Sequence, residues 1–336
     1  MPRVNEAAMA QARLKQDGLL KPKGALGRLE TLSIQLAGMT GRGDWLPTRR
    51  AILVFAADHG VMVHQVSAVP QAITAFMVGQ FRDGNAAINV LARQMGARLT
   101  IVDVGVNADF SDGDSPAGRF VGRKIDYGTA DFTETTAMTA AQADAALQVG
   151  RDAAADEIAR GVDILIVGEM GIGNTTSASA VIAALTGAPV TRVTGRGTGV
   201  DDTVWARKIS VIEAGLRRHS PVERDTLMKI GGFEIGAMAG AMLYAASQRV
   251  PVILDGLICT AAALIAQQID PAVTDYLIAG HCGAEPGHAL ALAHLGLEPI
   301  LMLELRLGEG TGAVLALPII EAAMRTLHEM GTLHVG

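Results

Sequence analysis

The sequence predicts an α/β protein: a Rossmann-like, mostly parallel six-stranded sheet flanked by helices, with a small helical subdomain built from the chain termini. Three observations carry that expectation. Short runs of strand length alternate with longer stretches of helical period. The runs are almost continuously apolar, as strands covered on both faces require. Polar and Gly-rich residues gather directly after the runs, where an open parallel sheet keeps its ligand crevice.

The strand-like runs are Ala51–Ala56, Leu99–Val104, Asp163–Val167, Val250–Leu254, Tyr276–Ala279 and Pro299–Leu303. Helical period covers Gln71–Met95, Thr139–Arg160, Thr175–Leu185 and Leu257–Gln268, and three to four helices fill Asp202–Ser247. Thr139 supplies an N-cap and Gly161 a stop for the second of these. Residues 1–49 hold no strand signal and read as helical up to Gly41; Ala313–Met330 reads as a helix kinked at Pro318. The expected division is therefore a large α/β domain, 50–312, and a small helical subdomain from 1–49 and 313–336. Asn107–Thr133, rich in Asp, Gly and Ser, reads as a loop.

Composition narrows the class. Of 336 residues 49% are apolar, 18% charged and 4% aromatic, which suits a core of small aliphatic side chains. The net charge of −6 leaves no basic footprint for nucleic acid. Mean hydropathy is high at +0.30, but Gly, Pro or charge breaks each apolar stretch before the ~20 residues a membrane span needs. Two cysteines, Cys259 and Cys282, and an N-terminus without an apolar core lead us to expect a cytoplasmic protein without disulfides.

Five of the six runs lead into chemistry-bearing turns: Asp58-His59-Gly60, Asp103-Val104-Gly105, Gly168–Asn174, Asp255-Gly256 and Gly280-His281. The sixth is followed by Arg306–Gly310. Loop and cap duties explain each turn singly but explain the set poorly, because ionisable groups are costly to bury without purpose. In GEMGIGNTT (Gly168–Thr176), glycines let backbone N–H groups converge, and Asn174, Thr175 and Thr176 open a helix whose positive end holds an anion. The same residues also suit a plain strand-to-helix turn with Thr caps. GRGTGVDD (Gly195–Asp202) is a second flexible loop; its Asp pair does not close an apolar strand, so Asp202 reads as a helix N-cap. Lys208 on the following helix is either a solvated lysine or a phosphate partner. In RLGEGTGA (Arg306–Ala313), Glu309 stands between two glycines, as an exposed loop acid or as an acid fixed beside a ligand. The histidines lack metal-ligand spacing; His281 and His288 flank the AEPG turn and read as structural, with ligand contact by one of them as the alternative. No GxGxxG turn follows the first run, which argues against a nucleotide-dependent oxidoreductase.

Ten blocks, from KPKGALGRLE (Lys21–Glu30) through AADHGV (Ala56–Val61), VSAVPQAIT (Val66–Thr74), GNAAINVLAR (Gly84–Arg93), GEMGIGNTT, GRGTGVDD, GGFEIGAMAGAML (Gly231–Leu243), PVILDG (Pro251–Gly256) and GAEPGH (Gly283–His288) to LRLGEGTGA (Leu305–Ala313), together resemble the nicotinate-nucleotide–dimethylbenzimidazole phosphoribosyltransferase family. The resemblance implies transfer of a phosphoribosyl group from nicotinate mononucleotide to 5,6-dimethylbenzimidazole in cobalamin synthesis, by a homodimer that needs no metal or other cofactor. It implies Glu309 as the general base, with Glu169 and Asp255 at the ribose and its C1′. Gly171, Gly173, Asn174, Thr175 and Thr176 would cradle the phosphate with Lys208. Ser67, Gln71, Met77 and Leu307 would form the acceptor wall. The chain departs from the family in Ala25 and Gly283, where Ser is more usual, and in Gly84-Asn85 for Gly-Gly. At position 283 a backbone N–H is left to replace the hydroxyl.

Overall fold

The computed structural model describes residues 1–115, 117–220 and 222–333. The end of the expected terminal subdomain, 334–336, lies outside the described residues, as do Pro116 and Pro221. The strands are β1 (Arg50–Ala57), β2 (Arg98–Gly105), β3 (Gly113–Ser115), β4 (Gly118–Gly122), β5 (Ile164–Met170), β6 (Val252–Leu254) and β7 (Leu277–Ala279). They form one sheet in the order β3-β4-β2-β1-β5-β6-β7. The strands from β4 to β7 run parallel, and β3 alone pairs antiparallel.

The central strands follow directly from composition. Ala51 to Ala57 in β1 and Ile164 to Val167 in β5 are all buried, as a strand with helices on both faces must be. Two expectations about the sheet are corrected. The run Pro299–Leu303 makes a single bridge, His281 to Leu301, and no strand. Met302 and Leu303 are exposed, so their apolarity did not report a core position. The segment read as a loop, Asn107–Thr133, holds the β3–β4 hairpin. Phe120 is the one buried apolar residue of β4, too few for a pattern to show.

Helices lie close to their expected places. The segment Gln71–Met95 divides into Ile73–Asp83 and Ala87–Gln94 at Gly84, whose φ of 81° ends the first helix. Helix Ala140–Ala159 begins at a Thr139 and Gln142 capping box. Asp202–Ser247 holds Asp202–Arg218, Thr226–Ile230 and Phe233–Ser247. The cap of the first is Asp201, which accepts from Val204 N, and not Asp202, which pairs with Arg196. From the chain ends, Glu6–Gly18, Arg28–Thr40 and Thr311–Glu329 pack on one another, with Pro318 inside the last.

Helices Ala140–Ala159 and Phe233–Ser247 pack together and against β1 and β2. Their crossing is backbone to backbone. A Cβ at Gly150 would stand 1.7 Å from the Ala237 carbonyl oxygen, and one at Gly240 would stand 2.0 Å from that of Leu147. Each glycine admits the other helix, so mid-helix glycines here are packing residues. Gly150→Ala should therefore lower the unfolding free energy by ~1–3 kcal/mol, the usual cost of overpacking, despite alanine's better helix propensity. Urea unfolding midpoints measure this; an unchanged midpoint would refute the close crossing.

Candidate active site

β2 and β5 leave β1 on opposite sides, which makes the β1/β5 boundary the topological switch point of the sheet. A cavity of about 360 Å³ opens nearby, lined by residues 169–175 after β5, by the 305–309 segment and by parts of four other loops. Of the residues expected at the site, Glu309, Glu169, Gly171, Gly173, Asn174, Thr175, Ser67, Met77 and Leu307 line it. Lys208, Thr176, Asp255 and Gln71 do not.

The Glu309 loop is built by close approach. Gly308, Glu309 and Gly310 all hold positive φ, at 87°, 64° and 89°. Two glycines adopt that region freely; Glu309 adopts it at a cost, as residues held at functional sites often do. A Cβ at Gly168 in β5 would stand 2.5 Å from the Glu309 carbonyl carbon, so the loop lies directly on the strand. Glu309 N donates to Glu169 O at 3.2 Å. Asp255, at the end of β6, holds the other side: Oδ2 accepts from Gly310 N (3.1 Å), and Oδ1 from Gly312 N (2.7 Å) and Ala313 N (3.1 Å). Asp255 is therefore a positioning residue for the loop and for the start of helix Thr311–Glu329. Its oxygens meet backbone N–H groups, with His281 Nε2 3.3 Å from Oδ1, and it stands behind the cavity wall where a ribose contact was expected.

Glu309 is 1% exposed. Its Oε2 accepts from Ile88 N at 3.3 Å, and no cation pairs with it among the described residues. Burial pushes its pKa up to about 7, against the pull of the Ile88 N–H and with added repulsion from Asp255. Glu169 is held by the Asn174 amide. Burial, then the charges of Glu234 and Asp255, push its pKa well above the carboxylate range.

Another part of the wall is a helix start, a place that suits an anion. Helix Asn174–Thr186 starts at Gly173 (φ 97°) and turns its positive end to the cavity. Lys208 is buried behind it and donates to Thr175 Oγ1 at 2.7 Å, so it reaches the cavity only through Thr175. Burial lowers its pKa to about 8, with Glu285 acting against the fall. Thr176 is wholly buried and does not line the cavity. Beneath the cradle, buried His59 contacts Ser177 Oγ through Nδ1 (3.0 Å) and Glu234 Oε1 through Nε2 (2.8 Å). The AADHGV and GGFEIG blocks thus pin two helix starts together under the site. Burial opposes charging of His59, but Glu234 outweighs it and raises the pKa.

Ser67 Oγ meets Thr198 Oγ1 at 3.0 Å, tying the 66–69 segment to the 195–199 loop. Gln71 is half-buried and lies near Asp58, away from the cavity wall. Thr198, Glu285, Arg306, His281 and His288 line the cavity although they were assigned no contact or, for the histidines, a structural role. All five stand within or beside the blocks GRGTGVDD, GAEPGH and LRLGEGTGA, which was the available signal.

A parallel sheet of this topology, with a buried acid and a helix start lining one cavity at its switch point, is the layout of an α/β enzyme that acts on an anionic ligand. Comparison with known proteins narrows the class. A family described as Phosphoribosyltransferase matches residues 1–335. The nicotinate-nucleotide–dimethylbenzimidazole phosphoribosyltransferase of Chloroflexus aurantiacus is 53% identical over 332 residues, spanning 98% of this chain and 93% of that protein. The like-named protein of Geobacter sulfurreducens is 46% identical over the same shares. The crystal structure of CobT from Thermus thermophilus superposes with a TM-score of 0.93 at 44% identity, over 98% of this chain and 100% of that one. The chain belongs to the phosphoribosyltransferase family that these relatives share.

Removing the Asp255 carboxylate leaves three buried N–H groups unpaired, each costing about 1–3 kcal/mol. Asp255→Ala should lower stability by ~3 kcal/mol or more and speed hydrogen exchange at Gly310, Gly312 and Ala313. Unchanged exchange at those amides would remove the positioning role.

Proposed function

We propose that this cavity transfers the phosphoribosyl group of nicotinate mononucleotide to 5,6-dimethylbenzimidazole, giving α-ribazole 5′-phosphate and nicotinate for the nucleotide loop of cobalamin, with Glu309 as the general base. One observation carries the assignment of roles: a buried carboxylate without a cation partner among the described residues, its pKa raised to about 7, lining the same cavity as a helix start that suits an anion.

The chemistry asks little more. In the donor the pyridine nitrogen is a cation bonded to C1′; as that bond breaks its electron pair returns to the ring, and nicotinate leaves without needing a proton. One acceptor nitrogen attacks C1′ from the opposite face, which turns a β donor into an α product. The proton on the other nitrogen passes to Glu309. The donor phosphate sits on the cradle, with Lys208 acting through Thr175. Glu169, oriented by Asn174 on the cavity wall, is placed to meet a ribose hydroxyl or charge at C1′. Val66, Val69, Ile73, Met77 and Leu307 supply an apolar wall for the acceptor base, beside Ser67.

We further assign 50–312 as the catalytic domain and the terminal helices as the small subdomain. The exposed apolar side chains of Met302 and Leu303 support a homodimer. The free thiols of Cys259 and Cys282 fit a reducing cytoplasm.

Incubation with nicotinate mononucleotide and a panel of bases, followed by mass identification of products, tests the reading; no ribazole phosphate from dimethylbenzimidazole would reject it. Glu309→Gln should lower kcat ~10²–10⁴-fold with donor Kd kept. Because Glu309 acts as the deprotonated base and its pKa lies near 7, wild-type kcat/KM should climb as pH rises through 7 and level off above. A profile flat from pH 5 to 9 would exclude it. Lys208→Ala should weaken donor binding more than it slows chemistry; an unchanged donor Kd in calorimetry would count against a phosphate role.

A further inference from the structure

We infer that His288 is a further donor-binding residue, its Nε2–H donating a hydrogen bond to a phosphate oxygen of the nucleotide; this rests on the phosphoribosyl-transfer reading above. His288 lies in the first turn of helix Pro286–Leu295, wholly buried, on the cavity wall. Gly283 N donates to its Nδ1 at 2.9 Å. A backbone amide can only donate, so Nδ1 carries the lone pair and a neutral ring carries its hydrogen on Nε2. Burial, then the neighbouring His281, push the ring pKa down to about 4, which keeps it neutral. Nε2 is buried and has no partner among the described residues. An unpaired buried N–H in a native site calls for an acceptor from elsewhere, and the ring that carries it belongs to the cavity lining, edge-on to His281.

The surroundings name that acceptor. Glu285 Oε1 accepts from Gly197 N at 2.8 Å. A Cβ at Gly197 would stand 2.8 Å from Thr175 Oγ1 and 3.3 Å from Lys208 Nζ. Position 283, His288, Glu285, Gly197, Thr175 and Lys208 thus form one continuous arc, and the last two belong to the phosphate cradle. Position 283 also explains why the imidazole is needed. With Gly there, the backbone N–H is the only donor left, and it is spent on His288 Nδ1. The ring passes that polarity on and presents Nε2–H in its place. Leu305 O, 2.5 Å from where a Cβ at Gly283 would sit, closes the backbone over the same position.

The test uses full-length protein whose transfer of nicotinate mononucleotide to dimethylbenzimidazole is first established by product mass; absence of product there would fail the functional reading, not this one. Donor affinity is then measured by calorimetry with nicotinate mononucleotide and with nicotinate riboside, which lacks the phosphate. His288→Asn keeps an acceptor near Nδ1 and removes the Nε2 donor. It should weaken mononucleotide binding ~10-fold or more, as loss of a hydrogen bond to a charged group does, and leave riboside binding within ~2-fold. His288→Gln, which places an amide N–H near the Nε2 position, should recover most of the loss. Unchanged mononucleotide affinity in His288→Asn, or an equal loss for the riboside, overturns the inference. Nitrogen NMR of histidine-labelled wild-type protein gives a check free of folding defects: a proton on Nδ1 in the unliganded enzyme, or no shift of the Nε2–H signal on mononucleotide binding, also overturns it.

Discussion

The site depends on one capture. Asp255, at the end of β6, takes the N–H groups of Gly310, Gly312 and Ala313, and so fixes the loop that carries Glu309 against β5. Gly168 makes room for that contact, and the positive φ values of Gly308, Glu309 and Gly310 complete the bend. A base for a heterocyclic proton must stand at a fixed distance from the sugar carbon. A free loop would not hold it there; a loop clamped between two strand ends does.

Burial then tunes the groups that the clamp positions. Glu309 and Glu169 are buried near Asp255, and its charge adds to the desolvation of both. Glu309, with one N–H contact and no cation, comes to rest near neutral pH, where a base is most useful. Across the cavity, Lys208 is desolvated enough that an arriving phosphate improves its surroundings. The buried His59–Glu234 pair joins two helix starts beneath the cradle, which makes that wall rigid.

Much of this was legible in the order of residues. Continuous apolar runs such as Ala51–Ala57 have one stable home, a strand covered on both faces, and five of the expected runs are strands. Gly-flanked Glu309 and the GEMGIGNTT turn announced themselves because backbone that must bend sharply or approach a ligand needs glycine. The β3–β4 hairpin was hidden because Phe120 is its one buried apolar residue in β4, and Pro299–Leu303 misled because its apolar side chains lie partly in solvent. Lys208, Asp255 and Gln71 carry the right chemistry, yet stand one layer behind the cavity or away from it.

What the sequence by itself determined was the alternation of elements, the glycine-marked turns and the types of chemical group available, since these follow from local sterics and side-chain period. Which groups face one another was decided by the tertiary structure alone. Glu309 meets Ile88 and Gly168, Asp255 reaches across to Gly310, and His288 takes the Gly283 N–H because parallel strands from distant parts of the chain end side by side. Contact and burial set whether an acid is a cap, a clamp or a base, and neither is a property of any single stretch of chain.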